Sequence, residues 1–188
     1  MTFYWRTNEN LKGIIAGLDL SVEDTVLAAG GSGDQAFAML EFAGRVKAVD
    51  SNPAQIAYIK ERAEALQRGD YKAFFREKAE ERCPYFLEDK NRVEIIREKL
   101  ENLTVAEPGD IIRLPQEEQV YSKIYLSNII GYWERLRCLY PGINKIRTQL
   151  HTVAQKLAAG GLIYVSNHGT FAEAANKGAF EQGGVSVG

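Results

Sequence analysis

Thr25-Val-Leu-Ala-Ala29, Gly30-Gly31-Ser32-Gly33-Asp34-Gln35, a helical run to about Phe42, and Arg45-Val-Lys-Ala-Val49 ending on Asp50: this stretch decides the fold. Its first five residues are mostly apolar without alternation, which suits a strand buried on both faces. The glycines that follow let the backbone turn sharply and come close to a ligand, and the next helix offers its first amides. Phe37 and Leu40 take the inward face of that helix. Strand, glycine loop, helix and strand make a β-α-β unit, so the sheet is parallel and the fold is α/β.

The pattern continues beyond Asp50. Asn52 is a good N-cap, Pro53 stands at the first helical position, and Gln55 has the spacing to reach back as an N-x-x-Q capping box. Ile56, Ile59, Ala63 and Leu66 mark the buried face of this helix. Residues 67–103 are charged and punctuated by aromatics; Tyr71, Phe74 and Phe75, then Val93, Ile96 and Leu100, predict two amphipathic helices in an insert that caps the ligand edge, its aromatics including Phe86. Further strands are expected near Leu103–Ala106, Lys123–Leu126 and Leu162–Val165, with a helix over 142–158 ended by Gly160-Gly161 as a glycine C-cap. Before the first strand, Leu11, Ile14, Ile15 and Leu18 predict a short helix. The expectation is one domain over 1–188, Rossmann-like, with five to six mostly parallel strands, helices on both faces and the helical insert.

The bulk numbers fit that reading. A chain of 188 residues with 45% hydrophobic and 26% charged content is long enough to bury one core. A net charge of −2 argues against a partner held by bulk electrostatics, nucleic acid above all. Cys83 and Cys138 stand alone, without metal-ligand spacing, so neither a disulfide nor a metal site is expected. The first residues, MTFYWRTNEN, carry no apolar stretch of signal length, and no segment approaches membrane-spanning length; a cytoplasmic protein without an integral membrane segment is the expectation, its oligomeric state open.

Chemistry in open α/β sheets sits at the carboxyl ends of the strands. Three features fall there. The glycine loop is the first. Asp50, 17 residues beyond Gly33, is the second; an acid at the end of the second strand accepts hydrogen bonds from both hydroxyls of a ribose, with Ser51 and Asn52 beside it. The third is Gly109-Asp110 after the third strand, where a carboxylate or an amide can meet an adenine amino group; an ordinary Pro-Gly-Asp turn is the plainer reading. Ser127 and Asn128 follow the fourth strand.

The order of these elements resembles class I S-adenosylmethionine-dependent transferases more than nicotinamide dehydrogenases, since the loop Gly30-Gly-Ser-Gly-Asp-Gln35 lacks the last glycine of G-x-G-x-x-G. More narrowly, Val46 to Gln55 matches V-x-A-V-D-x-N-P-A-Q, and Asp70-Tyr71-Lys-Ala-Phe74-Phe75 an aromatic stretch, of the diacylglycerol 3-amino-3-carboxypropyltransferase family of betaine-lipid synthesis; the likeness covers roughly residues 20–135. That family is about twice as long. The acid that many methyltransferases carry near the end of the first strand is Ala28 here.

The resemblance implies S-adenosylmethionine bound by Gly30, Gly31, Ser32, Gly33, Asp34, Gln35, Asp50, Ser51, Asn52, Gly109, Asp110, Ser127 and Asn128, and a small-molecule or lipid acceptor. It favours aminocarboxypropyl transfer, with Ser32, Asp34 and Gln35 holding the amino acid end of the cofactor; methyl transfer to a small molecule and a non-catalytic binding subunit are the alternatives. His168 after the fifth strand is the candidate base and Tyr132 a candidate substrate contact. Tyr4, Trp5 and Arg6 are candidates for a lid over the cofactor; simple packing is the plainer reading of such a cluster.

Overall fold

The computed structural model describes residues 4–76, 84–89, 91–114, 120–130, 143–166 and 184–187. Helix α1 (Leu11–Leu18) starts on Asn10, whose side chain accepts from the Gly13 N–H, and it buries Leu11, Ile14 and Leu18. Strand β1 (Thr25–Ala29), helix α2 (Asp34–Leu40), strand β2 (Arg45–Val49) and helix α3 (Pro53–Gln67) follow. Next come α4 (Tyr71–Phe75), α5 (Pro84–Glu88), α6 (Arg92–Glu98), a 3₁₀ turn (Leu100–Asn102) and β3 (Leu103–Val105). Strand β4 (Tyr121–Tyr125), helix α7 (Ile143–Ala154), β5 (Leu157–Val165) and β6 (Gly184–Val187) complete the described elements.

The sheet runs in the order β3-β2-β1-β4-β5-β6, and every described pairing is parallel. Val26, Leu27 and Ala28 of central β1 are all fully buried although successive side chains point to opposite faces. Both faces are therefore covered, as a parallel sheet with helical crossovers requires. The architecture is a Rossmann-like α/β fold with a parallel sheet. Chain order reverses at β1, between β2 and β4, and this switch point opens a crevice at the carboxyl edge.

Three expectations are corrected. Gly160 and Gly161 do not cap the preceding helix, which ends at Ala154; they lie inside β5. There three residues of β4, from Tyr121 to Lys123, lie against six of β5, from Leu157 to Leu162. Gly160 takes φ +76° in this bulge, and a Cβ on Gly161 would stand 2.7 Å from the Ser122 carbonyl oxygen, so both glycines serve a bulge pressed against β4.

The insert, secondly, is helical but does not cap the ligand edge with its aromatics. Phe74 meets Phe37 of α2 edge to face at 5.1 Å, and Phe75 and Phe86 pack around Phe74. Beyond the end of α2, Glu41 pairs with Arg92 at 2.8 Å and accepts from the Tyr85 hydroxyl at 2.6 Å. The aromatics are thus buried against α2 and, through Arg62, beneath the loop where that helix begins, rather than laid over the edge.

Third, the Gln55 side chain does not close a capping box. Asn52 caps α3 through the Ala54 N–H, but its own N–H goes to Asp50, and Gln55 is used elsewhere.

Candidate functional site

The glycine loop is shaped by close packing on one side and by open space on the other. Gly30 donates its N–H to the Val49 carbonyl at 2.7 Å, stitching the loop to the end of β2. A Cβ on Gly30 would lie 3.1 Å from both Asp50 and Ile59, and one on Gly33, at φ +86°, would lie 3.1 Å from Ile59 and Phe37. Those two glycines let the loop settle on α3 and α2. At Gly31, φ +48°, a Cβ would meet nothing within 4 Å, so this backbone faces free space at the edge.

Asp50 stands beside that space, half-buried. Its Oδ2 accepts from the Gly31 N–H at 2.9 Å and its Oδ1 from the Asn52 N–H at 2.8 Å. Each oxygen keeps a second lone pair. Burial pushes this carboxyl above its ordinary 3.8, and the two backbone N–H groups partly offset the shift. The Gly109 N–H donates to the Asp50 carbonyl at 2.9 Å, which brings Gly109 and Asp110 alongside. Asp110 accepts from the Ile112 N–H, the bond of an ordinary turn. Ser51 is exposed at the same edge.

Ser32 and Asp34 face inward. Asp34 is fully buried and pairs with Arg62 Nη1 at 2.8 Å; its Oδ2 accepts from the Thr7 N–H and the Ser32 hydroxyl, both at 2.8 Å. Arg62, itself fully buried, also donates to the Ser32 carbonyl at 2.7 Å and the Phe74 carbonyl at 3.0 Å. Its guanidinium lies 4.9 Å from the Phe37 ring centre and 4.6 Å from that of Phe74. Asp34 and Arg62 thus hold the loop from beneath.

The N-terminal segment Tyr4–Glu9 is strapped across this edge. The Gln55 amide accepts from the Tyr4 N–H at 3.1 Å and donates to the Tyr4 carbonyl at 2.8 Å, and it also reaches the Gly31 carbonyl at 2.5 Å. Tyr58 donates to the Trp5 carbonyl at 2.9 Å. Gln35 Nε2 lies 2.7 Å from both Thr7 Oγ1 and Glu9 Oε2. The Tyr125 hydroxyl also donates to Glu9, and Ser127, at φ +52°, donates to it at 3.1 Å. The Tyr4 and Trp5 side chains stay exposed.

Glu9, Thr7, Gln55, Arg62 and Tyr125 were not among the expected site residues. Only Gln55, inside the N-P-A-Q run, carried a signal, and it pointed to capping instead. Tyr132 and His168 lie outside the described residues, as do Cys83 and Cys138. Among the described residues no helix is long and apolar enough to cross a membrane. A cavity of about 520 Å³ opens between α3 and α4; Glu61, Arg62, Arg68, Asp70, Lys72 and Arg76 line it with mixed charge.

Burial, then the charge and hydrogen bond of Glu9, hold the Tyr125 phenol well above its ordinary 10.0. An unfolded chain gives up this proton near pH 10, the folded one only later. The contribution of Tyr125 to stability is therefore complete below pH 10 and lost as pH rises through the folded value. In an alkaline absorbance titration, the difference between the wild type and Tyr125→Phe is expected to be a phenol ionising well above pH 10. A difference curve centred at 10 overturns this.

No family model and no curated protein matches the chain, but solved structures do. N-methyltransferase NodS from Bradyrhizobium japonicum WM9 is similar at TM-score 0.54 and 12% identity, over 90% of this chain and 71% of that one. A putative methyltransferase from Bacillus halodurans matches at TM-score 0.53 and 14% identity, over 87% of this chain and 54% of its own. Precorrin-6y C5,15-methyltransferase from Geobacter metallireducens matches at TM-score 0.52 and 13% identity, over 91% of this chain and 67% of its own. The chain spans about half the length of some of these proteins, 47% in the case of YcgJ from Bacillus subtilis. At such identities the likeness establishes the fold.

Proposed function

We propose that the chain binds S-adenosylmethionine at the carboxyl edge of β1 and β2 and transfers a group from it to a small-molecule acceptor. The carrying observation is the juxtaposition of Asp50 with the open backbone of Gly31, 2.9 Å apart through one hydrogen bond, at the switch point of the sheet. In this reading the ribose hydroxyls donate to the free lone pairs of Asp50, and the main chain of Gly30, Gly31 and Gly33 carries the cofactor. Ser51 and Asn52 flank the ribose, Gly109 and Asp110 the adenine. Ser127, Asn128 and Gln35 stand toward the amino acid end, while Ser32 and Asp34 keep the loop in shape. The sulfonium supplies the electrophilic carbon; the residues position it, where a misplacement of about 1 Å costs roughly a hundredfold in rate.

Methyl transfer is the reading that the fold likeness to proteins named methyltransferases supports. Aminocarboxypropyl transfer is the second reading, favoured by the V-x-A-V-D-x-N-P-A-Q run, whose Gln55 touches the loop at the Gly31 carbonyl. Tyr132 and His168 keep their candidate roles as substrate contact and base.

Calorimetry with S-adenosylmethionine, S-adenosylhomocysteine and methylthioadenosine tests the cofactor: at least one is expected to bind, and binding of none overturns the proposal. Mass spectrometry of the nucleoside product then separates the two readings. S-adenosylhomocysteine marks methyl transfer and methylthioadenosine marks aminocarboxypropyl transfer.

A further inference from the structure

The Glu9 carboxylate lies half-buried where three elements converge, and its partners are neutral: the Gln35 amide at 2.7 Å, the Tyr125 hydroxyl, and the Ser127 hydroxyl at 3.1 Å. Among the described residues no arginine or lysine pairs with it. The other acids that anchor the helices are compensated differently, Asp34 by Arg62 and Glu41 by Arg92. Burial first, and then the charge of Glu9, raises the phenols of Tyr125 and Tyr164, whose rings lie 6.1 Å apart. The Tyr125 phenol stays neutral and donates to Glu9 without adding charge.

Gln35 supplies the second, independent observation. It is 6% exposed, and its Nε2 is used on Glu9 and Thr7, but its Oε1 is a buried acceptor with no hydrogen-bond partner among the described residues. An orphaned buried acceptor costs stability unless a donor reaches it. That oxygen shares a carbon with the nitrogen that touches Glu9, so the two acceptors are neighbours. Among the described residues, a carboxylate without a cation, an adjacent acceptor without a donor and two aromatic rings together ask for a group with positive charge and several N–H bonds. An aliphatic ammonium has both, and it is attracted to aromatic faces as well.

We infer that Glu9 and Gln35 form a receiving site for the ammonium group of a bound ligand. Two sources carry this chemistry: an amine acceptor, or the amino group at the methionine end of the cofactor. The inference rests on the proposed function only in its use of cofactor probes. Glu9 is here a binding residue, and the strap Tyr4–Glu9 is the segment that carries it into the site.

Calorimetry on the whole chain, as wild type, Glu9→Gln and the charge-retaining Glu9→Asp, tests the inference with four probes. These are n-butylammonium, n-butanol of the same carbon skeleton, S-adenosylhomocysteine, and methylthioadenosine, which has no amino acid. Thermal midpoints check that the variants are folded. If an acceptor amine is the ligand, wild type is expected to prefer n-butylammonium over n-butanol by at least about tenfold, and Glu9→Gln to abolish the preference while Glu9→Asp retains part of it. If the cofactor's amino group is the ligand, Glu9→Gln weakens S-adenosylhomocysteine by at least about tenfold and leaves methylthioadenosine unchanged. Either result supports the site and names its source. Affinities for both n-butylammonium and S-adenosylhomocysteine that are unmoved in a folded Glu9→Gln protein overturn it. Loss of all nucleoside binding in the wild type strikes the cofactor reading instead, and the n-butylammonium comparison then decides this inference alone.

Discussion

Arg62→Ala is expected to cost about 3–5 kcal/mol of stability, the range for removing one partner of a buried ion pair. Arg62 and Asp34 are both fully buried, so the lost guanidinium leaves a carboxylate without its cation and without water. The Ser32 and Phe74 carbonyls also lose their donor, and the Phe37 and Phe74 rings lose the cation between them. For a domain of this size the midpoint of thermal unfolding is expected to fall by roughly 6–20 °C.

The sign of a double variant is as informative. Replacing Arg62 and Asp34 together by apolar residues of similar volume removes the desolvation cost as well as the pair, and such exchanges are often neutral or stabilising. Urea unfolding of Arg62→Met, Asp34→Leu and the double variant closes the cycle. The double variant is expected to be more stable than Arg62→Met. A single variant within about 0.5 kcal/mol of wild type overturns the assignment of Arg62 as the support of the loop.

What the sequence disclosed divides along physical lines. The strands and helices around Gly30 were legible because local pattern decides them: β1 is a nearly continuous apolar run, β2 buries Val46, Ala48 and Val49 between its charged residues, and Asn52-Pro53 carries its own start signal. Gly160-Gly161 misled because glycine serves two purposes; it ends helices, and it also lets a strand bulge against a neighbour at a distance that no Cβ tolerates. Gln55 misled for a different reason. Its spacing matched a local cap, but the Tyr4 backbone and the Gly31 carbonyl compete for the same amide and win. The insert's aromatics were recognised as buried without disclosing which surface buries them, since periodicity gives a face and not its partner. Glu9 left no trace in pattern at all. Its contacts to Tyr125 and Ser127 span more than a hundred residues, and only the folded sheet brings a polar N-terminal segment to the end of β4.

Asp50→Ala is expected to weaken cofactor binding roughly 10- to 150-fold, the equivalent of about 1.5–3 kcal/mol for hydrogen bonds to a charged group. The protein should remain folded. The alanine frees the Gly31 and Asn52 N–H groups from a carboxylate that is costly to bury, so the losses and the gains in the free protein oppose each other. The pH dependence separates this role from a merely structural one. The Asp50 carboxyl sits above 3.8 when folded, so its contribution to stability is present below pH 3.8 and is lost as pH rises through the folded value. Ribose binding needs the opposite form, because only the carboxylate offers acceptors to both hydroxyls. Acidification through the raised value should therefore weaken the cofactor while this group favours the folded protein, and binding near that pH should release a proton to buffer. Calorimetry in two buffers of different ionisation enthalpy reads that proton directly. A folded Asp50→Ala protein that binds S-adenosylhomocysteine as tightly as wild type, or a wild type whose affinity is flat through the acid range, leaves Asp50 as a brace for Gly31 and Asn52 and moves the ribose elsewhere.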